Sequence, residues 1–428
     1  MKSWKANYAA ILIAQSLAMV GFGLSFPIIP LFIEEDIGIR DPVQLKAWVG
    51  VIQSSASITM AVFAPIWGHL ADVFSRKTML LRAMFGGAIL ILLMAFVRSP
   101  WQMLALRAVQ GCLSGTIAAA TVMTAGIVPA SQVAFALGLL QTGIAAGNSL
   151  GPLAGGVLSD FLGNRIAFLG TGVVLFFSGF IVLKWVDNDR PKKNINAEGI
   201  ADENSPGAVG SMTGAPGSIT GLKAEKKFSL IPDFRPIIAN PLIITLMMVG
   251  FSVQAVNGAA QPMLPLFLKS LAQKITDAPM YIGSSTGLVL GVGAATSAIA
   301  AVLVGKYALR LGYWRTLIFC LAACAVFTVP QAFVNNMYQL MALRAISSFC
   351  LGGCIPVMNA IIAISTDRKT QGTTFGLNSS VSAAGMALGP LIGSAAAMLS
   401  YRAVFIVCAF IMGFAAVQIS KRRKSAKD

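Results

Sequence analysis

The stretch "WQMLALRA" (residues 101–108) returns as "YQLMALRA" (residues 338–345), 237 positions later. Each copy plants one arginine, Arg107 or Arg344, in an otherwise apolar run. Other landmarks keep the same order. Gly68 matches Gly305 and Arg165 matches Arg402 at an offset of 237. "FPIIPLF" (26–32) matches "QPMLPLF" (261–267) at 235, and "LGPLAGG" (150–156) matches "LGPLIGS" (388–394) at 238. The chain is therefore a duplicated unit. Between the copies, residues 186–236 are rich in Gly, Ser, Ala and Pro with scattered charge, which reads as a disordered cytoplasmic linker. The expected organisation is a first half over 1–185, the linker, a second half over 237–420 and a basic tail over 421–428.

Composition says what each half is made of. The 428 residues are 56% hydrophobic and 11% charged, with a mean hydropathy of +0.76. A soluble chain averages about 25% charged residues. Apolar runs of about 20 residues, long enough to cross a ~30 Å hydrocarbon core as helices, recur from end to end. They fall near 8–33, 47–69, 79–97, 101–127, 133–160, 165–185, 238–268, 281–305, 314–334, 338–364, 371–399 and 401–420. Backbone polar groups in lipid must be satisfied within the segment, so each run is a helix. The predicted fold is an all-α membrane protein with twelve transmembrane helices in two pseudo-symmetric six-helix halves. The first run is too long for a signal-peptide core and ends without a small-residue cleavage site.

A formal charge of +16 invites a nucleic-acid reading, but its distribution argues against one. With both termini in the cytoplasm, 23 of the 32 Lys and Arg lie in cytoplasmic segments, seven in outer segments, and two are Arg107 and Arg344. That is the positive-inside pattern. The basicity sets topology, so a lipid bilayer and no nucleic acid is the expected partner. The six cysteines all lie inside spans, and the one histidine, His69, sits at a span end. Neither makes a metal site, and the cysteines read as small packing residues. There is no phosphate-cradling loop and no nucleophile constellation, so no cofactor and no enzyme activity is expected. An ion or substrate gradient should supply the energy.

Four local patterns stand in the right spans for a family. "GHLADVFSRK" (68–77) follows span 2, "LRAVQG" (106–111) lies in span 4, "GIAAGNSLGPLAGG" (143–156) in span 5, and "GLSFPIIP" (23–30) closes span 1. Together they resemble the signature motifs of the major facilitator superfamily, specifically its twelve-span drug:proton antiporters. The resemblance covers nearly the whole chain except the linker. It implies export over uptake, a gating role for Asp72 with Gly68, Arg76 and Lys77, and a link between Arg107 and proton transfer. Departures are present: Ser75 stands where the motif has glycine, Val73 where it has a basic residue, and the second-half copy carries Leu309 instead of an acid.

The residues also have readings of their own. Gly143, Gly147, Gly151 and Gly155 recur every fourth position, a bare stripe that lets another helix approach closely, with Pro152 adding a kink. The stripe serves packing alone or conformational change as well. Asp72 is either a latch onto the positive end of a neighbouring helix or a solvated loop charge. Arg107 lies about 9 Å deep at 1.5 Å per residue. A lipid-facing arginine at mid-span costs at least ~2.5 kcal/mol, so both arginines should turn inward. There they either bond neighbouring carbonyls or line a central cavity with Gln110.

All sixteen acids fall in loops, termini or span ends, so no carboxylate is available mid-membrane to carry a proton or bind a cation. Two buried cations without a buried acid imply a cavity that favours anionic or neutral amphiphiles. Met19, Phe22 and Phe26 match Gln254, Asn257 and Gln261 across the halves, and both sets are candidate cavity positions, as are Gln15, Gln53, Gln141 and Asn148. The expected activity is secondary-active efflux of small amphiphilic compounds, coupled to protons by alternating access, by a monomer in a bacterial inner membrane. The alternatives are a dedicated organic-anion exporter using Arg107 and Arg344, or a non-transporting receptor or scaffold.

Overall fold

The computed structural model describes residues 3–73, 75–113, 115–129, 132–187, 239–275, 281–366 and 371–425. Among these it is built from helices: α1 (Trp4–Leu24), α2 (Ile28–Glu35), α3 (Pro42–Val73), α4 (Arg76–Met94), α5 (Pro100–Leu113), α6 (Thr116–Ile127), α7 (Val133–Leu162) and α8 (Asn164–Trp185) in the first half. The second half has α9 (Pro241–Ile275), α10 (Ile282–Leu311), α11 (Tyr313–Thr328), α12 (Met337–Ser365), α13 (Gln371–Leu399) and α14 (Tyr401–Ser425). Nine helical stretches among the described residues are long and apolar enough to cross a membrane. The remaining crossings are α3, the α5–α6 pair and α7, so the protein is multi-pass. The linker expected over 186–236 lies outside the described residues from 188 on. Asp187 is described and accepts a bond from Asn7 Nδ2 at 3.1 Å. The basic tail expected from 421 begins as a continuation of α14.

Two spans are interrupted where the sequence analysis expects continuous helices. Span 1 breaks at Ser25–Pro27, and the Ser25 hydroxyl donates to the Phe22 carbonyl at 2.9 Å. Span 4 breaks around Gly115, whose φ of +123° is open to glycine at little cost. The Trp67 indole N–H donates to the freed Cys112 carbonyl at 2.6 Å, which answers the demand that backbone groups in lipid be satisfied. The face of α5 that carries Arg107 and Gln110 therefore does not continue in register into α6. Phe26 falls in the first interruption rather than at helical spacing from Phe22, and is 40% exposed.

The duplication is visible in the packing. In the first half α1 packs on α7, α3 on α5, and α4 on α8; in the second, α9 packs on α13, α10 on α12, and α11 on α14. The halves meet along α7 against α10 and α3 against α13. Calling the side with the chain termini the terminal face, α1 rises from it and α2 ends at the far face.

The glycine stripe on α7 lies against α1. A methyl on Gly147 would meet Met19 Cβ, one on Gly151 the Cα of Gly23 at 2.7 Å, and one on Gly155 would collide with the Leu24 carbonyl. Gly385, Gly389 and Gly393 on α13 meet α9 backbone at Phe251, Ala255 and Ala259 in the same way. Backbones this close gain dispersion and weak C–H···O contacts that larger side chains would prevent. Gly155→Ala should therefore cost about 1–3 kcal/mol through overpacking. Thermal unfolding in detergent checks it, with Gly138→Ala as the control, because nothing lies within 4 Å of a methyl there. Equal midpoints for the two variants would refute the close approach.

Candidate functional site: buried arginines and the seam between the halves

Arg107 points into the first half, 8% exposed. Its Nη1 donates to Gln110 Oε1 at 2.8 Å, one turn along α5, and its Nη2 donates to Gln53 Oε1 on α3. Its Nε is buried without a partner among the described residues. Gly111 follows, and a side chain there would collide with Thr59 and the Ala56 carbonyl of α3, so the glycine brings α3 and its Gln53 within reach of the arginine. Both acceptors are neutral amides. They fix the planar guanidinium in place and leave its charge uncancelled.

Arg344 is likewise buried, at 9% exposure, on α12. Gly293 of α10 packs on it, with space for a methyl only 3.6 Å from Arg344 Cγ. The thiols of Cys324 and Cys408 are its near electrostatic neighbours. The two arginine helices pack chiefly within their own halves.

The other candidates separate. Gln15 is fully buried and its Nε2 donates to Thr116 Oγ1 at 3.4 Å, at the start of α6. Met19 is buried against α7, and Phe22 reaches Gly87 on α4, so both fill helix contacts inside the first half. Gln254, Asn257 and Gln261 are half-buried along α9, whereas Gln141 and Asn148 on α7 are exposed. Pro152 lies inside α7, where its carbonyl faces Gly287. The side chains of Gly68 and Asp72 lie outside the described residues. Lys77 is described: its Nζ donates to the Leu183 carbonyl at 2.9 Å and the Val186 carbonyl at 2.6 Å. It caps the negative end of α8. Arg76 starts α4 and is half-buried.

A feature missed by the sequence analysis lies at the far face. The Asp160 carboxylate, at the end of α7, accepts the backbone N–H of Gly283 at 2.8 Å and of Ser284 at 2.6 Å. These are orphan donors in the first turn of α10, so Asp160 acts as a helix cap supplied by the other half. Gly156 makes the approach possible, since a side chain there would collide with the Gly283 carbonyl. Phe161 stacks on Tyr281 at 5.3 Å beside it. The signal was legible: "GVLSD" (156–160) repeats the spacing of "GHLAD" (68–72).

The rest of the seam is electrostatic and polar. Lys269 of α9 pairs with Glu34 at 3.1 Å and Glu35 at 3.0 Å. The Ser394 hydroxyl donates to the Lys46 carbonyl, and the Lys46 ammonium sits 4.4 Å above the Tyr401 ring. Within the first half, Asn164 bonds Glu35 at 3.2 Å and Asp36 at 2.8 Å, and Arg165 pairs with Asp36 at 3.1 Å. The Lys269 pairs are part-exposed, a class worth about 0–1 kcal/mol each. The two charge-assisted bonds of Asp160 are each worth roughly 1.5–3 kcal/mol, so Asp160 is the stronger link. The far face is closed by contacts between the halves.

Known proteins give this geometry its context. The family described as "Major Facilitator Superfamily" matches residues 11–334 and 282–427. A "Multidrug resistance protein MdtG" of Proteus mirabilis is 32% identical over 414 residues, 96% of this chain and 94% of that protein. Its namesake in Enterobacter lignolyticus is 32% identical over 427 residues, 99% of this chain and 94% of that one. Among solved structures, a bacterial homolog of the human lysosomal transporter Spinster, in an inward-facing and unoccupied conformation, superposes with a TM-score of 0.76 at 13% identity, covering 98% of this chain and 97% of that chain. The nucleoside transporter NupG gives 0.73 at 14%, covering 97% and 98%. Two duplicated six-helix halves, a seam along α7–α10 and α3–α13, and matches from end to end agree: the chain belongs to the major facilitator superfamily and is a transporter, not an enzyme.

Proposed function

We propose that this chain exports small amphiphilic compounds by alternating access, favours anionic and neutral over cationic ones, and is driven by proton entry. The relatives' names support drug efflux. The observation that carries the anion preference is Arg107, buried and held by two neutral amides while every acid of the sequence lies outside the middle of a span. An anion entering between the halves would supply the countercharge that the protein withholds. The positive-inside pattern supports a cytoplasmic terminal face, and on that reading the far-face seam is the outer gate. Asp160 then secures the state open to the cytoplasm. Asp72, at the matching motif position, does the same for the opposite state, with the glycine stripe as the surface on which α1 and α7 stay packed. The working unit is one chain in a bacterial inner membrane.

The test is purified protein in liposomes with an imposed pH gradient. Uptake of an amphiphilic anion and of a permanently cationic dye are followed side by side, with and without an uncoupler. Anion transport that the uncoupler abolishes is the expected result. Cation transport alone, undiminished when Arg107 is replaced, would overturn the reading. A second reading, a dedicated organic-anion exchanger, rests on the same absence of mid-span acids and predicts anion flux indifferent to the uncoupler. No flux of either probe would leave a receptor or scaffold.

A further inference from the structure

Five of the six cysteines stand together in the second half. Cys320 and Cys324 are four residues apart on α11, Cys350 and Cys354 are four apart on α12, and Cys408 is on α14. All five are free thiols, between 0% and 8% exposed, in one continuous core. Residues four apart share a helix face, so each helix presents a pair. The helices are antiparallel neighbours. Just beyond α11, the Gln331 amide donates to the Leu343 carbonyl of α12 at 3.5 Å, and in antiparallel helices that register brings Cys320 level with Cys354 and Cys324 level with Cys350. One turn forward along α11 thus meets one turn back along α12, and the thiols face each other as two rungs.

The rungs differ. Cys324 also approaches the Thr328 hydroxyl, at 4.0 Å, and sits near Arg344. Cys320 and Cys354 have a plainer setting, with the Cys354 thiol also reaching the Cys350 carbonyl at 3.4 Å. Among the described residues no three His, Cys, Asp or Glu side chains converge on a metal position, so the pattern is two-point rather than tetrahedral. The thiols are buried, and the outward face of the same helix is apolar: Phe319 and Val326 are 70% and 64% exposed, so a lipophilic ligand would approach through hydrocarbon. Packing alone asks for small apolar side chains. It does not ask for sulfur opposite sulfur.

We propose that the Cys320–Cys354 rung is a dithiol site between α11 and α12 for lipophilic trivalent arsenicals. An organoarsenous acid, R–As(OH)2, forms two As–S bonds there. Each thiol proton leaves with one hydroxyl, giving two waters, and arsenic stays trivalent throughout. The second bond closes intramolecularly on a thiol already in place. That advantage should strengthen binding roughly 100-fold over a single thiol.

The experiment uses the full chain in detergent with phenylarsine oxide, under a phosphine reductant that prevents disulfides. Intact mass and the thiols left reactive after denaturation are read together. The expected result is one arsenical per chain and two thiols protected, reversed by 2,3-dimercaptopropanol but not by the same concentration of mercaptoethanol. Cys320→Ser and Cys354→Ser should each weaken retention roughly 100-fold, while Cys112→Ala and Cys324→Ser keep it. Each variant is first shown to elute as a single species, so lost binding is not lost fold. No adduct, one protected thiol, or retention undiminished in Cys320→Ser would overturn the assignment.

Discussion

Asp160→Asn should spring the far face open. The carboxylate accepts two backbone N–H groups of α10 at 2.8 and 2.6 Å, and its charge lies at the positive end of that helix. Asparagine keeps the size and loses the charge. Only one oxygen then remains to accept, and its amide nitrogen faces a donor. A loss of about 1.5–3 kcal/mol follows from the charge-assisted bonds. At 1.4 kcal/mol per tenfold, the closed far face should fall roughly 10- to 100-fold relative to the open one. The readout is the maleimide labelling rate of a cysteine placed at Ser149, which lies behind the seam with its carbonyl against Gly291. Labelling should accelerate in Asp160→Asn and much less in Asp160→Glu, which retains the charge. An unchanged rate in the asparagine variant would show that the other seam contacts, Lys269 with Glu34 and Glu35 among them, hold the face shut without Asp160. That is unexpected for part-exposed pairs.

The second large effect concerns Arg107. Arg107→Gln removes a buried charge and leaves the Gln53 and Gln110 carbonyls without their shared donor. If the guanidinium meets an anionic substrate, losing one partner of that buried pair costs about 2–5 kcal/mol. The concentration of anion giving half-maximal transport should then rise roughly 30-fold or more. Arg107→Lys separates charge from shape. A lysine keeps the charge but cannot reach both amides with a planar fork, so an intermediate loss is expected. A neutral amphiphile should respond little to either change. Wild-type anion kinetics in Arg107→Gln would make the arginine a purely structural fastener of α3 to α5.

Much of this was legible from residue order alone. The offset near 237 announced two like halves, and their packing repeats pair for pair. The inward turn of Arg107 and Arg344 followed from the cost of charge in lipid. What escaped was whatever depends on a partner distant in sequence. Gln53 is 54 residues from Arg107, and Gly283 is 123 from Asp160, so neither pairing leaves a local periodicity. Met19 and Phe22 illustrate the converse. Their helical spacing marks a face but not which neighbour covers it, and the neighbours are the glycines of α7 and α4. The break at Gly115 was visible as a Ser-Gly pair inside an apolar run. Such pairs mark turns elsewhere, and here the apolar run around it reads as a single span.

The paired packing has a consequence for how the protein is made. Each half satisfies its own glycine-lined crossings, and the α7–α10 and α3–α13 contacts, with those of α9 on α2 and α3, wait for the other. Ribosomes add roughly 5–20 residues per second, so the first six spans are complete for ten seconds or more before the last spans emerge. During that interval the face of α7 that will meet α10, built of Ser149, Pro152, Leu153, Gly156 and Phe161 with Asp160 at its tip, has no partner from the second half. The far face is joined by groups from both halves, so it can close only after the second half has been made.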